Sequence, residues 1–354
     1  MKFCLLVPEE FASHHRQHSF EITGLLQWGK ALGGDIKTLT EFDGGYDWVM
    51  TNVSSTESEY ISFIHQVDPD AKVIACFDYG FDVVNQYFVP AAIARIKDVM
   101  NRADVVFSVN KNQQAWMQEI LPDKTIHYCP HPTDIESIAK FRRKKEERTQ
   151  GVAYFWHQYD NYQIQGLEVL KAVERRIKRP IPKALIGLKS RILMQQGIPI
   201  LSAGFPFVAN DHPDEKIRNQ PLDPELYKIW QRTPPGISWD TVMPYMGVEM
   251  WYHFLSQFDV CLDLYTVNSI GRFGIDCAAL GLPLVASDKQ DSSKLLWPFT
   301  TVDPYSPEDA IAFMVKLIKK DDFYDKCERV AMKNVHHFGL EKSKERMMRI
   351  LDSD

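Results

Sequence analysis

Residues 259–288 read DVCLDLYTVNSIGRFGIDCAALGLPLVASD, in which two apolar runs flank a short segment with a glycine near each end. The runs at 259–265 and 283–288 have the length and apolar content of buried strands, and the segment between them suits a helix. A strand, a helix and a second buried strand in succession predict a βαβ unit and a parallel sheet. We predict that this helix begins near residues 269–271 and ends at Gly281.

The same alternation of apolar runs and amphipathic segments extends along the chain. Continuous apolar strands separated by helices indicate parallel sheets that are covered on both faces. The predicted strands of the first half lie at 2–8, 47–52, 71–78, 103–110 and 125–132, and those of the second half at 151–158, 182–188, 198–205, 259–265 and 283–288. Residues 206–236 are rich in proline and predict a long irregular insertion.

The length of 354 residues exceeds what one ordinary hydrophobic core supports, so we expect two domains. We predict two doubly wound, Rossmann-like α/β domains that face each other across a cleft, with ligands at the carboxyl ends of the strands. The polar, charge-dense stretch after residue 133 is typical of a linker. The predicted boundaries are an N-terminal domain at 1–140, a linker at 141–151, a C-terminal domain at 152–335, and a helix at 336–354 that packs back on the N-terminal domain.

The net charge of −6 provides no global basic field that would favour nucleic acid or an anionic membrane. A local basic cluster, Arg142 to Lys145, either contacts an acidic partner or forms a solvated face balanced by Glu146 and Glu147. The N-terminal apolar run is too short for a signal peptide, and no run approaches the roughly 18 apolar residues of a membrane span. The six cysteines lack metal-ligand spacing, which favours buried free thiols in a reducing compartment. We therefore expect a cytoplasmic protein without a transmembrane segment.

The helix start at 269–271 follows a buried strand, and it has two interpretations. A helix N-terminus presents free N–H groups and the positive end of the helix dipole, which together attract an anion. Gly271 would let a phosphate approach the backbone, and Arg272 would add a charge-assisted contact. In the alternative interpretation Asn268 or Ser269 caps the helix, and Arg272 points to water.

Three segments together resemble the GT-B nucleotide-sugar glycosyltransferases, in particular the large retaining group classed as family four. They are ADVVFSVNKNQQAWMQEILPDKTIHYCPHPTDI at 103–135, VMPYMGVEMWYHFLSQFDVCLDLY at 242–265 and NSIGRFGIDCAALGLPLVASD at 268–288. The third is the most specific, because it is similar to the signature in which two glutamates eight positions apart flank a glycine-bearing helix start. With the final helix at 336–351, the resemblance covers most of residues 100–350.

The resemblance implies transfer of a glycosyl group from a nucleoside diphosphate sugar to an acceptor hydroxyl, with retention of configuration. It implies no bound metal and no cofactor apart from the donor substrate. The N-terminal domain would bind the acceptor and the C-terminal domain the donor. The first signature glutamate falls on Asn268, near the sugar, and the second on Asp276, which would bind the ribose hydroxyls. Ser269, Ile270 and Gly271 would lie at the diphosphate, and the base would pack near Val242, Met243 and Pro244.

The donor domain departs from the family pattern in its positive charges. The family's Arg and Lys after the first strand of this domain correspond here to Trp156-His157 and Gln165. The candidates to neutralise the diphosphate are therefore His157, Arg272 and Lys189.

The acceptor domain also departs from the family pattern. Its usual His-Asp pair corresponds to Phe77-Asp78, and its glycine-rich loop to EEFASHHRQHS at 9–19. The histidines of this loop, with Arg16, would either grip an anionic acceptor or remain solvated. Only His14 and His18 share a helix face, which argues against zinc. We predict Asp78 or His18 as the group that orients the acceptor, with Asn268 as the third candidate catalytic residue.

Three other functions remain open. A DNA-base glycosyltransferase shares this fold, and the basic cluster at 142–145 would then track phosphates. A non-catalytic nucleotide- or glycan-binding protein would explain the missing charges, and a nucleotide-sugar epimerase has the same architecture. The predicted acceptor is accordingly a glycan, a small molecule or modified DNA.

Overall fold

A computed structural model describes residues 1–7, 24–52, 59–77, 90–149, 151–155, 164–181, 183–186, 201–203, 242–243 and 248–353. The chain divides into two compact units. The first comprises Met1–Asp134, Val267–Ile270 and His336–Asp354, and the second comprises Ile135–Thr266 and Gly271–Val335. Each unit is built on one parallel sheet, as the alternating pattern predicts.

The described residues of the first unit form a six-stranded sheet in the order β2-β1-β3-β4-β5-β6, and every neighbouring pair is parallel. The order reverses between β1 and β3, which defines a doubly wound sheet. The strands are β1 (Phe3–Leu6), β2 (Asp35–Lys37), β3 (Trp48–Asn52), β4 (Lys72–Phe77), β5 (Val105–Ser108) and β6 (Ile126–Tyr128). The helices are α1 (Gly24–Leu32), α2 (Tyr60–Val67), α3 (Pro90–Arg102), α4 (Lys111–Ile120) and, from the end of the chain, α12 (Leu340–Leu351).

Side chains from successive strand positions enter two different cores, one on each face of this sheet. In β1, Cys4 and Leu6 enter the core that α2, α3 and α4 complete. Phe3 and Leu5 enter the other core, which α1 and α12 complete. Because side chains alternate across a strand, both faces must be apolar, and this requirement produces the unbroken apolar runs of the sequence.

In the second unit, the part of the chain that the structure describes forms a seven-stranded parallel sheet in the order β10-β9-β8-β7-β11-β12-β13. Its order reverses between β7 and β11, so this sheet is also doubly wound. The strands are β7 (Val152–Phe155), β8 (Lys183–Ile186), β9 (Leu201–Ala203), β10 (Val242–Met243), β11 (Val260–Asp263), β12 (Leu284–Ser287) and β13 (Thr301–Val302). The helices are α5 (Ile135–Ala139), α6 (Ile164–Ile177), α7 (Val248–Leu255), α8 (Arg272–Leu280), α9 (Ser293–Leu296), α10 (Pro307–Lys319) and α11 (Asp321–Asn334).

The helix predicted from the opening stretch is α8, and glycines define both of its ends. Gly271 is the N-cap residue, and Gly281 is the C-cap residue in the left-handed conformation with φ 69°. The N–H of Leu282 donates to the carbonyl of Cys277 at 2.8 Å, which closes the helix with a Schellman-type bond. From Phe273 onward the helix is buried, and it packs on β11 and β12.

The structure places the predicted linker at 141–151 within the second unit, which begins at Ile135 with helix α5. The polar sequence there has a structural reason. Arg142 Nε donates to the carbonyl of Ala279 at 2.6 Å, and Arg148 Nη1 donates to the carbonyl of Gly281 at 3.1 Å. These two guanidinium groups satisfy carbonyls at the C-terminal end of α8, where cations are favourable. Among the described residues, no helix has the length and hydropathy needed to cross a membrane.

Candidate functional site

The candidate site lies at the point where the strand order of the second sheet reverses. Strand β11 ends there at Asp263, and the chain continues through residues 264–271 into α8. In open α/β sheets, ligands bind at the carboxyl ends of the strands beside such a reversal. The topology therefore brings the start of α8 to the position where a ligand is expected.

Gly271 adopts a conformation that favours glycine. Its φ of 78° and ψ of 53° lie in the left-handed region. A Cβ atom at this position would lie 2.6 Å from Ser292 Oγ and 2.8 Å from Gln290 Cβ. Gly271 offers no side-chain acceptor to the first turn, so neither Asn268 nor Ser269 is the N-cap, and the capping alternative predicted from the sequence is wrong. The first-turn N–H groups are therefore not satisfied by a cap side chain.

A buried polar bridge holds the loop that leads to Gly271. Asp263, 1% exposed, accepts from Gln290 Nε2 at 2.6 Å and from the backbone N–H of Tyr265 at 3.1 Å. Ser292 Oγ donates to the carbonyl of Gly271 at 3.1 Å. The loop after β12 thus fixes both the end of β11 and the start of α8. Hydrogen bonds from two elements give this backbone a defined geometry.

Asp276 is buried beside Arg272, one helical turn away. Arg272 Nε donates to Asp276 Oδ1 at 3.1 Å, and the Tyr252 hydroxyl donates to the same oxygen at 3.4 Å. The Asp276 side chain is 3% exposed, whereas that of Arg272 is 19% exposed. The Arg272 side chain is therefore the more exposed member of the pair. The sequence alternative in which Arg272 simply points to water does not describe this arrangement.

Burial and neighbouring charges both shift the pKa values of these three side chains. Burial raises the pKa of Asp276, and the adjacent Arg272 guanidinium lowers it. Burial also raises the pKa of Tyr252, with a further contribution from the Asp276 carboxylate, so the hydroxyl stays a hydrogen-bond donor. For Arg272, burial lowers the pKa but the pairing with Asp276 outweighs it, so the pKa rises and the guanidinium stays charged.

The remaining predicted donor-site residues divide between the two units. Asn268, Ser269 and Ile270 are partly exposed and belong to the first unit. The side-chain oxygen Oδ1 of Asn268 accepts from Asn112 Nδ2, at the start of α4, at 2.5 Å. Val242 and Met243 form strand β10, the outermost strand beside β9 in the second sheet.

Several predicted site residues lie outside the described residues. They are His18 with the rest of the histidine loop, Asp78, His157, Lys189 and Pro244. The proline-rich insertion at 206–236 also lies outside this part of the chain.

The basic cluster at 142–145 is engaged within the second unit. Arg143 Nη2 lies 3.2 Å from His253 Nε2, and Lys145 Nζ donates to Asp321 Oδ1 at 2.6 Å. Lys145 also lies over the ring of Tyr324 at 4.0 Å from its centroid. Together with the bond from Arg142 to Ala279, these contacts assign the cluster an intramolecular role that neither sequence interpretation included.

Sequence reasoning missed four residues that support the site: Gln290, Ser292, Tyr252 and Asn112. They lie on other elements, and their chain separations from the residues they contact range from 21 to 156 positions. No local pattern joins them to the signature segment. The only local signal was the i, i+4 spacing of Arg272 and Asp276, which is typical of an ion pair on a helix.

No family model and no curated protein sequence matches the chain. Solved structures do match, over 86–99% of its length. Phage T4 α-glucosyltransferase in complex with UDP-glucose and DNA containing an abasic site has a TM-score of 0.63 and 12% identity, with 99% of each chain covered. Sucrose-phosphate synthase from Thermosynechococcus elongatus has a TM-score of 0.64 and 13% identity, covering 99% of this chain and 98% of the other.

TarM of S. aureus, in complex with α-GlcNAc-glycerol and UDP, matches with a TM-score of 0.59 and 10% identity. The match covers 86% of this chain and 55% of TarM. All three neighbours are GT-B glycosyltransferases. At identities this low the likeness shows the fold, and it confirms the predicted fold class: the chain adopts the two-domain Rossmann-like fold of the GT-B glycosyltransferases.

Proposed function

We propose that this protein is a glycosyltransferase that moves a sugar from a nucleoside diphosphate sugar to an acceptor hydroxyl. One observation carries the proposal: a helix start with a glycine N-cap and a partly exposed arginine lies at the strand-order reversal of the second parallel sheet. Such a helix end favours an anion, and the leaving diphosphate is the anion that this chemistry produces.

In this proposal the chain performs the reaction by electrostatics and positioning. The first-turn N–H groups of α8 and the Arg272 guanidinium stabilise the departing diphosphate. The main chain of Ser269 and Ile270 continues this contact, and the Asn268 amide hydrogen-bonds the sugar. Asp78 or His18 orients the acceptor hydroxyl. The base packs near Met243 and Pro244, with His157 and Lys189 as further candidates for charge neutralisation.

The finer features of the reaction are also proposals. Positive charge from Arg272 and from the helix dipole takes the part that a metal ion plays in other transferases, so the reaction is metal-independent and needs no cofactor. The configuration at the anomeric carbon is retained, as in the group that the sequence resembles. NMR of the anomeric proton in the first minutes of reaction tests this, because an inverted product contradicts retention.

We propose that the protein acts in the cytoplasm. All six cysteines are buried, and none of them forms a disulfide. Buried thiols outside disulfides are typical of a reducing compartment, since oxidising compartments favour disulfides.

The decisive experiment is a thermal-shift series with UDP-, GDP-, ADP- and TDP-sugars. A donor that binds the folded state raises the melting temperature, and the shift grows with ligand concentration. We expect one donor class to stabilise the protein and to be slowly hydrolysed without acceptor. Binding with no release of nucleotide would favour the non-catalytic alternative, and the absence of any shift would contradict the proposal.

A second candidate function is transfer of a sugar to a base in DNA. The observation in its favour is the full-length likeness to the phage T4 enzyme, whose structures contain DNA. Against it, the basic cluster at 142–145 is engaged in contacts within the protein, and the net charge is −6. Activity on duplex DNA containing hydroxymethylated bases, compared with activity on free glycans, decides between the acceptors.

A further inference from the structure

The Asp276 carboxylate accepts a hydrogen bond from Arg272, a contact that the two-glutamate signature of the family does not predict. We propose that Asp276 is a positioning residue that holds the Arg272 guanidinium toward the donor diphosphate, instead of binding the ribose itself. This inference rests on the proposed function, because it concerns the same donor site.

The geometry of the ion pair supports this assignment. Asp276 accepts at Oδ1 from Arg272 Nε, which is the inner nitrogen of the guanidinium group. Binding through Nε leaves the two terminal nitrogens as donors in a fixed plane, and that plane matches the oxygen pairs of a phosphate. Tyr252 adds a second contact to the carboxylate and fixes it from helix α7.

The difference in burial between the two side chains favours a positioning role for Asp276 over a ribose-binding role. A ribose acceptor must present its oxygens to the ligand, yet the Asp276 side chain is 3% exposed and lies behind Arg272 in the helix. Arg272 occupies the first position of α8, and side chains of a helix lean toward its N-terminus. The partly exposed member of the pair is therefore the one at the anion-attracting end of the helix.

The arrangement also accounts for a departure from the family pattern. The two fixed positive charges expected after β7 are absent from YFWHQYDNYQIQG at 154–166. Arg272, at the start of α8, is held by Asp276 one turn later. Its guanidinium supplies a positive charge at the place where the donor diphosphate is proposed to bind. In metal sites, a carboxylate often hydrogen-bonds a metal-binding side chain and fixes its orientation without touching the metal. Asp276 would act on Arg272 in the same way.

The test compares inorganic pyrophosphate, which has no ribose, with UDP and uridine as binding probes. Asp276→Asn keeps the side-chain shape but weakens the hold on Arg272. We expect this variant to lose about tenfold in pyrophosphate affinity, which corresponds to one charge-assisted hydrogen bond. Arg272→Gln is expected to lose a similar factor in pyrophosphate affinity. The double variant is expected to lose no more than the larger single loss, because both substitutions remove the same interaction.

The matched control is the exposed ion pair between Arg176 and Glu308, whose Nη2 and Oε2 atoms are 2.6 Å apart in the same unit. Arg176→Gln and Glu308→Gln are expected to leave pyrophosphate binding unchanged. Arg272→Lys is the second variant, in case Asp276→Asn does not fold. A lysine has a single ammonium group for both the carboxylate and the phosphate. We therefore expect Arg272→Lys also to bind pyrophosphate more weakly than the unaltered protein.

The outcomes separate this inference from the proposed function. If Asp276→Asn binds pyrophosphate like the unaltered protein but loses UDP and uridine, Asp276 is a ribose acceptor and the inference is overturned. If Asp276→Asn weakens pyrophosphate and UDP but not uridine, the inference is supported. If the unaltered protein binds none of the nucleoside diphosphate sugars, the proposed function fails first.

Discussion

Gly271 is the residue on which the geometry of the candidate site depends. Its positive φ and its close packing against the loop after β12 exclude a side chain for two independent reasons. The sequence indicated a glycine suited to phosphate approach. The structure adds that the same glycine is needed to bring Ser292 and Gln290 against the helix start.

We expect Gly271→Ala to lower the free energy of unfolding by about 2–4 kcal/mol, because backbone strain and a steric clash add together. Gly33→Ala is the matched control. Gly33 has φ 66° but no atom within 4 Å of its hypothetical Cβ, so only the strain of about 1 kcal/mol remains. Urea unfolding of both variants measures the difference. Equal losses would show that packing at Gly271 is looser than the structure has it.

Asp259, just before β11, provides a pH-dependent test. Burial raises its pKa from 3.8 to about 6, against the opposing charges of Arg148 and Lys145. Its Oδ1 atom is buried without a hydrogen-bond partner among the described residues. The folded protein therefore holds this proton more tightly than the unfolded chain does. Stability consequently falls as the pH rises from about 4 to about 6, and it stays lower above that range.

Asp259→Asn is expected to remove this slope and to stabilise the protein at pH 7 by about 1–2 kcal/mol, reduced from the full linkage value by partial exposure. Asp321→Asn serves as the opposite control, because Lys145 lowers the pKa of Asp321 and that exposed carboxylate favours the folded state. Unfolding measured at pH 4, 5, 6 and 7 gives both slopes. A destabilised Asp259→Asn variant at pH 7 would contradict the burial argument.

At the scale of elements, the long apolar strands and amphipathic helices that fall within the described residues were predicted correctly, and the short edge elements were missed. Strand β2 has three residues, and β10 and β13 have two each; all three lie at sheet edges. An edge strand is paired on one side and needs no continuous apolar run, so its sequence carries little signal. Helix α5 was missed for a different reason, because its five residues lie in the polar stretch after residue 133 that was interpreted as a linker.

The C-terminal helix, α12, was predicted from the sequence to pack on the N-terminal domain, and its packing can be tested by substitution. It lies in the first unit against α1, and Met347 is fully buried in the core below that helix. We expect Met347→Ala to lower the free energy of unfolding by about 2–4 kcal/mol through cavity formation. Met348→Ala on the same helix is partly exposed and is expected to cost less than half as much. Similar losses for both would argue against this helix orientation.

At the scale of the whole molecule, charge bears on the choice of acceptor. The chain carries 41 basic and 47 acidic residues, and its basic cluster is engaged internally. Non-specific DNA binding arises from cations that replace counterions on phosphates, so it depends steeply on salt. We expect duplex DNA to bind at 50 mM salt at most weakly and to be released by 200 mM, as measured by fluorescence anisotropy.

Binding of duplex DNA that persists above 200 mM salt would contradict this expectation and favour the DNA-base alternative. Lys144 is an exposed member of the cluster. Its substitution tests whether the cluster contacts the DNA. If Lys144→Gln reduces the salt slope by about one unit, the cluster touches phosphates despite its internal contacts.

The sequence by itself determined that the chain forms parallel, doubly wound sheets, because a strand covered on both faces must be apolar at every position. It also located the glycine-bearing helix start, because caps and turn residues are local properties. Only the tertiary structure decided which strands lie beside the order reversal, where the unit boundary falls, and that Asp276 is buried behind Arg272. Those properties depend on contacts between residues far apart in the chain, such as Tyr252 with Asp276 and Gln290 with Asp263, and no local pattern encodes them.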